Sequence, residues 1–187
     1  MAPAEIIFVT GGVRSGKSTF AEHLAKAKAL EIGGKLHYIA AGMPTDEEMK
    51  ERIQKHQWDR RKSGYRWQTW EQPTNIATLA PFFTEKDVIL LDCLTTLLTN
   101  ELFSAKENAD EKELYNRILT GIGEIAKSSH QLVIVSNEVL LDFFPDSALV
   151  RKYCRLIGKL HQKIVSISAQ AYAVEAGIPL LKKGAAS

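Results

Sequence analysis

The sequence predicts an α/β protein, with a mostly parallel sheet flanked by helices. Three observations carry this. A β-rich run near the start leads into a glycine-rich loop and then into a helix-period pattern. Two later runs, Val88–Leu91 and Gln131–Val135, are nearly continuously apolar, as strands buried on both faces of a parallel sheet are. Strand-like and helix-like segments alternate to the end of the chain with no Pro/Gly/Ser-rich linker between them, which is the signature of βα units. The 187 residues suit one domain, 1–187. A chain of that size buries roughly 70% of the surface its unfolded form exposes, enough for a core without staples.

The elements follow in order. Ile6–Thr10 reads as a strand. Ser18 to about Leu30 has helical spacing through Phe20, Leu24 and Ala27. Leu36–Ala41 is a second strand, and Thr45 to about Gln57 a charged helix opened by a capping box of Thr45 and Glu48. The polar stretch Trp58–Gly64 reads as a loop, and Arg66–Glu71 as a short strand. Ile76–Phe83 is expected to be helical. Val88–Leu91 is a buried strand ending in Asp92. Asp110–Ser128 is a helix with a second capping box, Asp110 and Glu113. Gln131–Val135 is a strand, and Ser147 to about Ala169 a long amphipathic helix with Leu149, Tyr153, Leu156, Leu160, Ile164 and Ile167 on one stripe. Two short apolar pieces, Ala171–Val174 and Ile178–Leu181, close the chain.

Composition removes several classes. Hydrophobic residues are 45% and charged residues 25%, with 12 glycines and 6 prolines; these values exclude collagen, coiled-coil arrays and intrinsic disorder. Two cysteines, Cys93 and Cys154, make no disulfide framework and have no metal-ligand spacing. The net charge of +2 makes no case for nucleic-acid binding. No apolar run approaches the roughly 20 residues of a membrane span, and Met1–Glu5 carries no signal-peptide pattern. A cytoplasmic protein is expected.

The sharpest motif is Gly11-Gly12-Val13-Arg14-Ser15-Gly16-Lys17-Ser18, which fits G-x-x-x-x-G-K-[ST] at every fixed position. Its context is right, a strand before and a helix after. Glycines let backbone N–H groups curl around phosphate oxygens, and the helix N-terminus adds its dipole. Lys17 can reach the β- and γ-phosphates, and the Ser18 hydroxyl can ligate Mg²⁺. Nucleoside triphosphates such as ATP or GTP are the implied ligands; the alternative is a glycine-rich turn with a chance lysine.

Two acidic residues stand at strand ends. Asp92 is a candidate Mg²⁺ or nucleotide contact, or else a plain helix N-cap for the segment after it. Glu138 follows Gln131–Val135 and is either a base or a surface carboxylate. His56 lies at the end of the charged helix, before Arg60, Arg61 and Lys62. A neutral imidazole among cations is a competent nucleophile toward phosphorus; a surface histidine favoured by the helix C-terminus explains the same pattern. No histidine pair has H-x-x-x-H spacing, so no transition-metal site is expected.

The combination is specific beyond the P-loop. With Tyr38-Ile39-Ala40, Arg52-Ile53-Gln54-Lys55-His56, Trp67-Gln68-Thr69-Trp70-Glu71, Leu90-Leu91-Asp92-Cys93-Leu94-Thr95, Asn100, Ser136-Asn137-Glu138-Val139 and Ala176-Gly177-Ile178-Pro179-Leu180, the chain resembles the bifunctional adenosylcobinamide kinase and adenosylcobinamide-phosphate guanylyltransferase family of cobalamin biosynthesis. The resemblance runs from about Ile6 to Lys182. It implies a RecA-like P-loop fold and a homotrimer. It implies phosphorylation of adenosylcobinamide by ATP or GTP, then transfer of GMP from GTP to give adenosyl-GDP-cobinamide and pyrophosphate. The second reaction passes through a guanylylated histidine, and His56 is the matching residue. Lys17 joins it as a catalytic residue. Ala40, Ala41, Gly42, Gln57, Trp58, Asp59, Arg60, Glu71 and Asp92 match positions that contact the guanine nucleotide, and Ser18 and Asp92 are placed to hold Mg²⁺. The chain departs from the family pattern at Leu140–Pro145 and in the stretch after His56.

Overall fold

The computed structural model describes residues 5–42, 65–105, 110–138 and 147–185. The expected helix Thr45–Gln57, the loop Trp58–Gly64 and the departing stretch Leu140–Pro145 lie outside the described residues.

Strand β1 (Glu5–Gly11) runs into helix α1 (Lys17–Ile32), then β2 (Lys35–Ala40), β3 (Trp67–Glu71), a 3-10 helix (Ile76–Phe82) and β4 (Asp87–Asp92). Helices α2 (Leu94–Ser104) and α3 (Glu111–Lys127), strand β5 (Gln131–Asn137), helix α4 (Ala148–Ile167) and strands β6 (Gln170–Glu175) and β7 (Ile178–Lys183) complete it. The strands form one sheet in the order β3-β2-β4-β5-β1-β6-β7. Every pairing is parallel except β6 with β7, a hairpin closed by Ala176 and Gly177 at φ 48° and 82°. Two left-handed residues are what a two-residue turn of that hand requires. The mostly parallel sheet is as the sequence predicts.

Register sets what each face buries. Ile6, Phe8, Ile39, Ile89, Leu91, Leu132 and Ile134 point to the side covered by α2, α3 and α4, and join a core of large aliphatic residues. Ile7, Val9, Val88, Leu90, Val133 and Val135 point to α1.

Five details refine or correct the sequence reading. Of the stripe through Phe20, Leu24 and Ala27, helix α1 buries the first two only partly and leaves Ala27 exposed; its buried residues are Lys17, Ala21, Ala25 and Ala29. Alanines at i, i+4 bring the helix backbone close to the sheet, so the small residues, not the large ones, mark the contact face. The segment Ile76–Phe82 is helical as expected, in 3-10 form, with Pro81 inside it; proline removes the donor an α-helix interior needs. The segment after Asp92 forms α2, a helix anticipated only through the N-cap alternative for Asp92, and its apolar residues Leu94, Leu97 and Leu98 are fully buried. In α3, Asp110 accepts a hydrogen bond from Lys112 N, while Glu113 pairs with Arg117 at 2.8 Å, so the N-cap is present without the reciprocal half of a capping box. Finally, Leu149 and Ile167, at the ends of the α4 stripe, are each nearly half exposed.

Candidate functional site

The glycine-rich loop joins β1 to α1. Gly11 is the last residue of β1, and a Cβ there would stand 2.5 Å from Val174 O and 2.6 Å from Ser15 Oγ. Only glycine fits so close to the β6 backbone. Gly16 is at φ 90°, a left-handed conformation costly for other residues; Arg14, at φ 59°, shares that region. Ser15 N–H donates to Gly12 O at 3.2 Å, and Gly177 N–H donates to Ser15 O at 2.8 Å. The turn of the β6–β7 hairpin thus braces the loop from behind. No sequence pattern marks Gly177 for this role, since the contact joins residues far apart in the chain.

Lys17 opens α1 and is buried, with its Nζ donating to Gly12 O at 3.0 Å. The ammonium thus folds back onto the backbone of its own loop. The Ser15 hydroxyl is buried with no hydrogen-bond partner among the described residues. An unsatisfied polar group in such a loop is a place for a ligand.

The neighbouring strand ends complete the edge. Register places Gly11 beside Asn137, and Asp92 between Ala40 and Val135. Asp92 Oδ2 accepts from Tyr38 Oη at 2.9 Å. The alternative of Asp92 as a helix N-cap is corrected: Cys93 holds that position, with no side-chain capping bond. Asn137 Nδ2 donates to Thr95 Oγ1 at 3.0 Å, fastening the end of β5 to the first turn of α2. Ala40 faces Glu71 on one side and Asp92 on the other, so Ala40, Ala41, Glu71 and Asp92 lie along one sheet edge. Gly42 follows directly. Glu138 is exposed, but its N–H donates to Gly11 O at 3.0 Å, a backbone role that no carboxylate chemistry predicts. His56, Gln57, Trp58, Asp59 and Arg60 lie outside the described residues.

Behind this edge, Ser136 Oγ and His161 Nε2 are 2.7 Å apart, and the His161 ring stands edge-on to Phe8. Burial holds the His161 imidazole below its ordinary pKa, in the neutral form. Burial likewise pushes the Tyr153 phenol up to about 12.

For Mg²⁺, the test is the donor set. Ser18 supplies a hydroxyl one residue after Lys17 at the start of α1, and Asp92 keeps a second carboxylate oxygen beyond the one bonded to Tyr38. Hard oxygen donors of this kind fit Mg²⁺. No cluster of three or more His, Cys, Asp or Glu that could hold a metal occurs among the described residues.

A strand, a glycine-rich loop that opens a helix, and an aspartate at the end of a nearby parallel strand define a P-loop nucleotide-binding protein of RecA-like fold. Solved structures agree on that fold. The flagellar accessory protein FlaH of Methanocaldococcus jannaschii is similar with a TM-score of 0.50 and 15% identity, over 97% of this chain and 80% of its own. A KaiC-like protein of Pyrococcus horikoshii OT3 is similar with a TM-score of 0.51 and 10% identity, over the same shares.

Sequence similarity narrows the class. Residues 7–181 match the family described as cobinamide kinase / cobinamide phosphate guanyltransferase, and the chain belongs to that enzyme family. It is 32% identical to the bifunctional adenosylcobalamin biosynthesis protein CobU of Salmonella typhimurium, covering 92% of this chain and 97% of the relative. It is 34% identical to the bifunctional adenosylcobalamin biosynthesis protein CobP of Pseudomonas aeruginosa, covering 94% and 96%. Among the described residues no helix is long and apolar enough to cross a membrane.

Proposed function

We propose that this chain, as one domain spanning 1–187, carries out two reactions of cobalamin biosynthesis. In the first, the hydroxyl of the aminopropanol arm of adenosylcobinamide attacks the γ-phosphorus of ATP or GTP. The γ-phosphoryl is transferred, the nucleoside diphosphate leaves, and the hydroxyl proton is lost. In the second, a ring nitrogen of His56 attacks the α-phosphorus of GTP, and the α–β bridging P–O bond breaks to release pyrophosphate. The phosphate of adenosylcobinamide phosphate then attacks the same phosphorus, the N–P bond breaks, and adenosyl-GDP-cobinamide is formed.

The observation that carries this reading is the loop Gly11–Ser18, with Lys17 buried against Gly12 O, in a chain of this family. Lys17 is positioned to exchange its loop carbonyl for phosphate oxygens, neutralising charge on the leaving group. The backbone N–H groups of Val13–Ser18 would surround the phosphates. Ser18 and Asp92 would hold Mg²⁺, which when bound supplies further charge neutralisation at the phosphates. Ala40, Ala41, Gly42, Glu71 and Asp92, with Gln57, Trp58, Asp59 and Arg60, would receive the guanine nucleotide. A histidine intermediate divides one difficult displacement into two easier ones. We place the enzyme in the cytoplasm as a homotrimer.

The test is covalent labelling. Incubated with α-labelled GTP, the wild type is expected to take up acid-labile, base-stable label, and His56→Ala none. Equal labelling of His56→Ala, or no label on the wild type, overturns the guanylyl-histidine mechanism.

A further inference from the structure

The geometry points to Asn100 as a positioning residue for guanine recognition, clamping the ends of β2 and β3 into one rigid wall. The observation is a single side chain that bridges two strand ends. Asn100 lies in α2, half-buried, and its Nδ2 donates to Ala41 O at 2.7 Å and to Pro73 O at 3.2 Å. Both partners are carbonyl oxygens, so only the amide nitrogen can face them, and the orientation of the amide is set by chemistry.

The clamp acts where the sheet's own bonding stops. Beyond the regular strands the ladder continues for one bond on each side, Ala41 N–H to Asp92 O at 3.1 Å and Gln72 N–H to Ala40 O at 3.0 Å. Just past these bonds, the two amide protons of Asn100 take the carbonyls of Ala41 and Pro73. The adjacent residue reinforces the hold. Glu101, almost fully buried, accepts from Asn75 N at 2.6 Å and from Arg117 Nη1 at 3.2 Å. Asn75 is at φ 48°, a conformation that needs such support. Two successive α2 residues therefore anchor the chain on both sides of the Ala40–Gly42 and Glu71 tips, and the same helix begins directly after Asp92. Neither Asn100 nor Glu101 lies in the glycine-rich loop; the clamp acts on the Ala40–Gly42 and Glu71 tips, which the proposed function assigns to the guanine nucleotide.

This inference rests on the reading that these tips receive the guanine nucleotide, and the experiment separates the two. Affinities of GTP and ATP for the folded enzyme are measured by calorimetry for the wild type, Asn100→Ala, Asn100→Asp and a remote destabilised control, Ile125→Val. The wild type is expected to prefer GTP. Asn100→Ala is expected to lose roughly tenfold in GTP affinity, the worth of the two bonds, with ATP binding through the phosphates unchanged. Asn100→Asp, which sets a carboxylate against two carbonyls, is expected to lose more. The KM for GTP rises in parallel, with kcat for phosphoryl transfer from ATP unaltered. If the wild type prefers GTP and Asn100→Ala shows the same preference as Ile125→Val at equal loss of Tm, Asn100 is structural only and the inference is overturned. If the wild type shows no guanine preference, the assignment of the strand tips fails and the inference falls with it.

Discussion

The two faces of the sheet are built on opposite plans. The face under α1 is closed by small residues: Ala21, Ala25 and Ala29 are buried against Val9, Val88, Leu90, Val133 and Val135. The other face is filled by Leu94, Leu97, Leu98, Leu114, Ile118, Ile122 and Ile125, with Leu156, Leu160 and Ile164 of α4. Thickness is what differs. Alanine lets α1 sit close over the strand ends, so its first turn, Lys17 and Ser18, meets the loop from β1 at short range. The opposite face has no such demand and is packed for volume. One face of the molecule fixes a geometry, and the other supplies most of the apolar burial.

That division predicts different failures. The largest effect is expected from Leu114→Ala, which empties a fully buried site on the thick face. Such truncations cost about 2–5 kcal/mol, so Tm should fall by roughly 10 °C, at about 2–4 °C per kcal/mol for a chain of this size. Affinity for ATP at temperatures where the variant is folded should stay near that of the wild type. A large loss of affinity would show that the two faces are not separable.

Ala25→Leu attacks the thin face. Ala25 is fully buried between α1 and the sheet, and overpacking there costs about 1–3 kcal/mol, less than the cavity on the other side. Its effect on nucleotide binding should be the greater of the two, because lifting α1 moves Lys17 away from Gly12. Calorimetric ATP affinity, compared with Leu114→Ala at matched stability, checks the contrast.

This plan was only partly legible in the sequence. The continuous run Val88–Leu91 and the β-run before Gly11 have one reading in an α/β protein, and the parallel sheet followed from them. The contact face of α1 did not, because Phe20 and Leu24 outweigh alanines in any apolar count, whereas close approach selects the smaller residue. Helix α2 entered the sequence reading only through the N-cap alternative at Asp92, for a related reason. Leu94-Thr95-Thr96-Leu97-Leu98-Thr99 is rich in β-branched threonine and carries little periodic contrast, and burial, not propensity, holds it helical. At the candidate site, the motif Gly11–Ser18 stands out because its spacing is local, and Asp92 because it ends the continuous apolar run Val88–Leu91. The bracing turn at Gly177, the Tyr38 bond to Asp92 and the Asn100 clamp do not, since each joins positions whose proximity is created by the sheet. The readings on Thr45–Gln57, His56 and Gln57–Arg60 lie outside the described residues.

The smallest predicted effect distinguishes the faces by pH. His37, buried, and His161, half-buried, both lie on the thick face. His37 points from β2 toward Phe83, with ring centroids 5.0 Å apart, and its Nδ1 accepts from Trp70 Nε1 at 3.1 Å. That bond fixes the proton on Nε2, which faces Asp87 Oδ2 at 3.5 Å; at that distance the contact is an electrostatic approach rather than a hydrogen bond. Burial lowers the His37 pKa, partly opposed by Asp87, and burial lowers that of His161 as well. A histidine whose folded pKa is lowered binds its proton more readily in the unfolded chain. Its stabilisation is therefore complete above the unfolded value near 6.5 and is lost as the pH falls below it. Protonating His37 would also put a hydrogen on Nδ1 and evict the Trp70 donor. Between pH 7 and 5, Tm is expected to fall modestly, and His37→Gln with His161→Gln should flatten that slope. Hydrogen exchange at pH 5 should show β3 and α4 losing protection before α1. If α1 opens first, acid acts through the thin face, and the separation of the two faces is wrong.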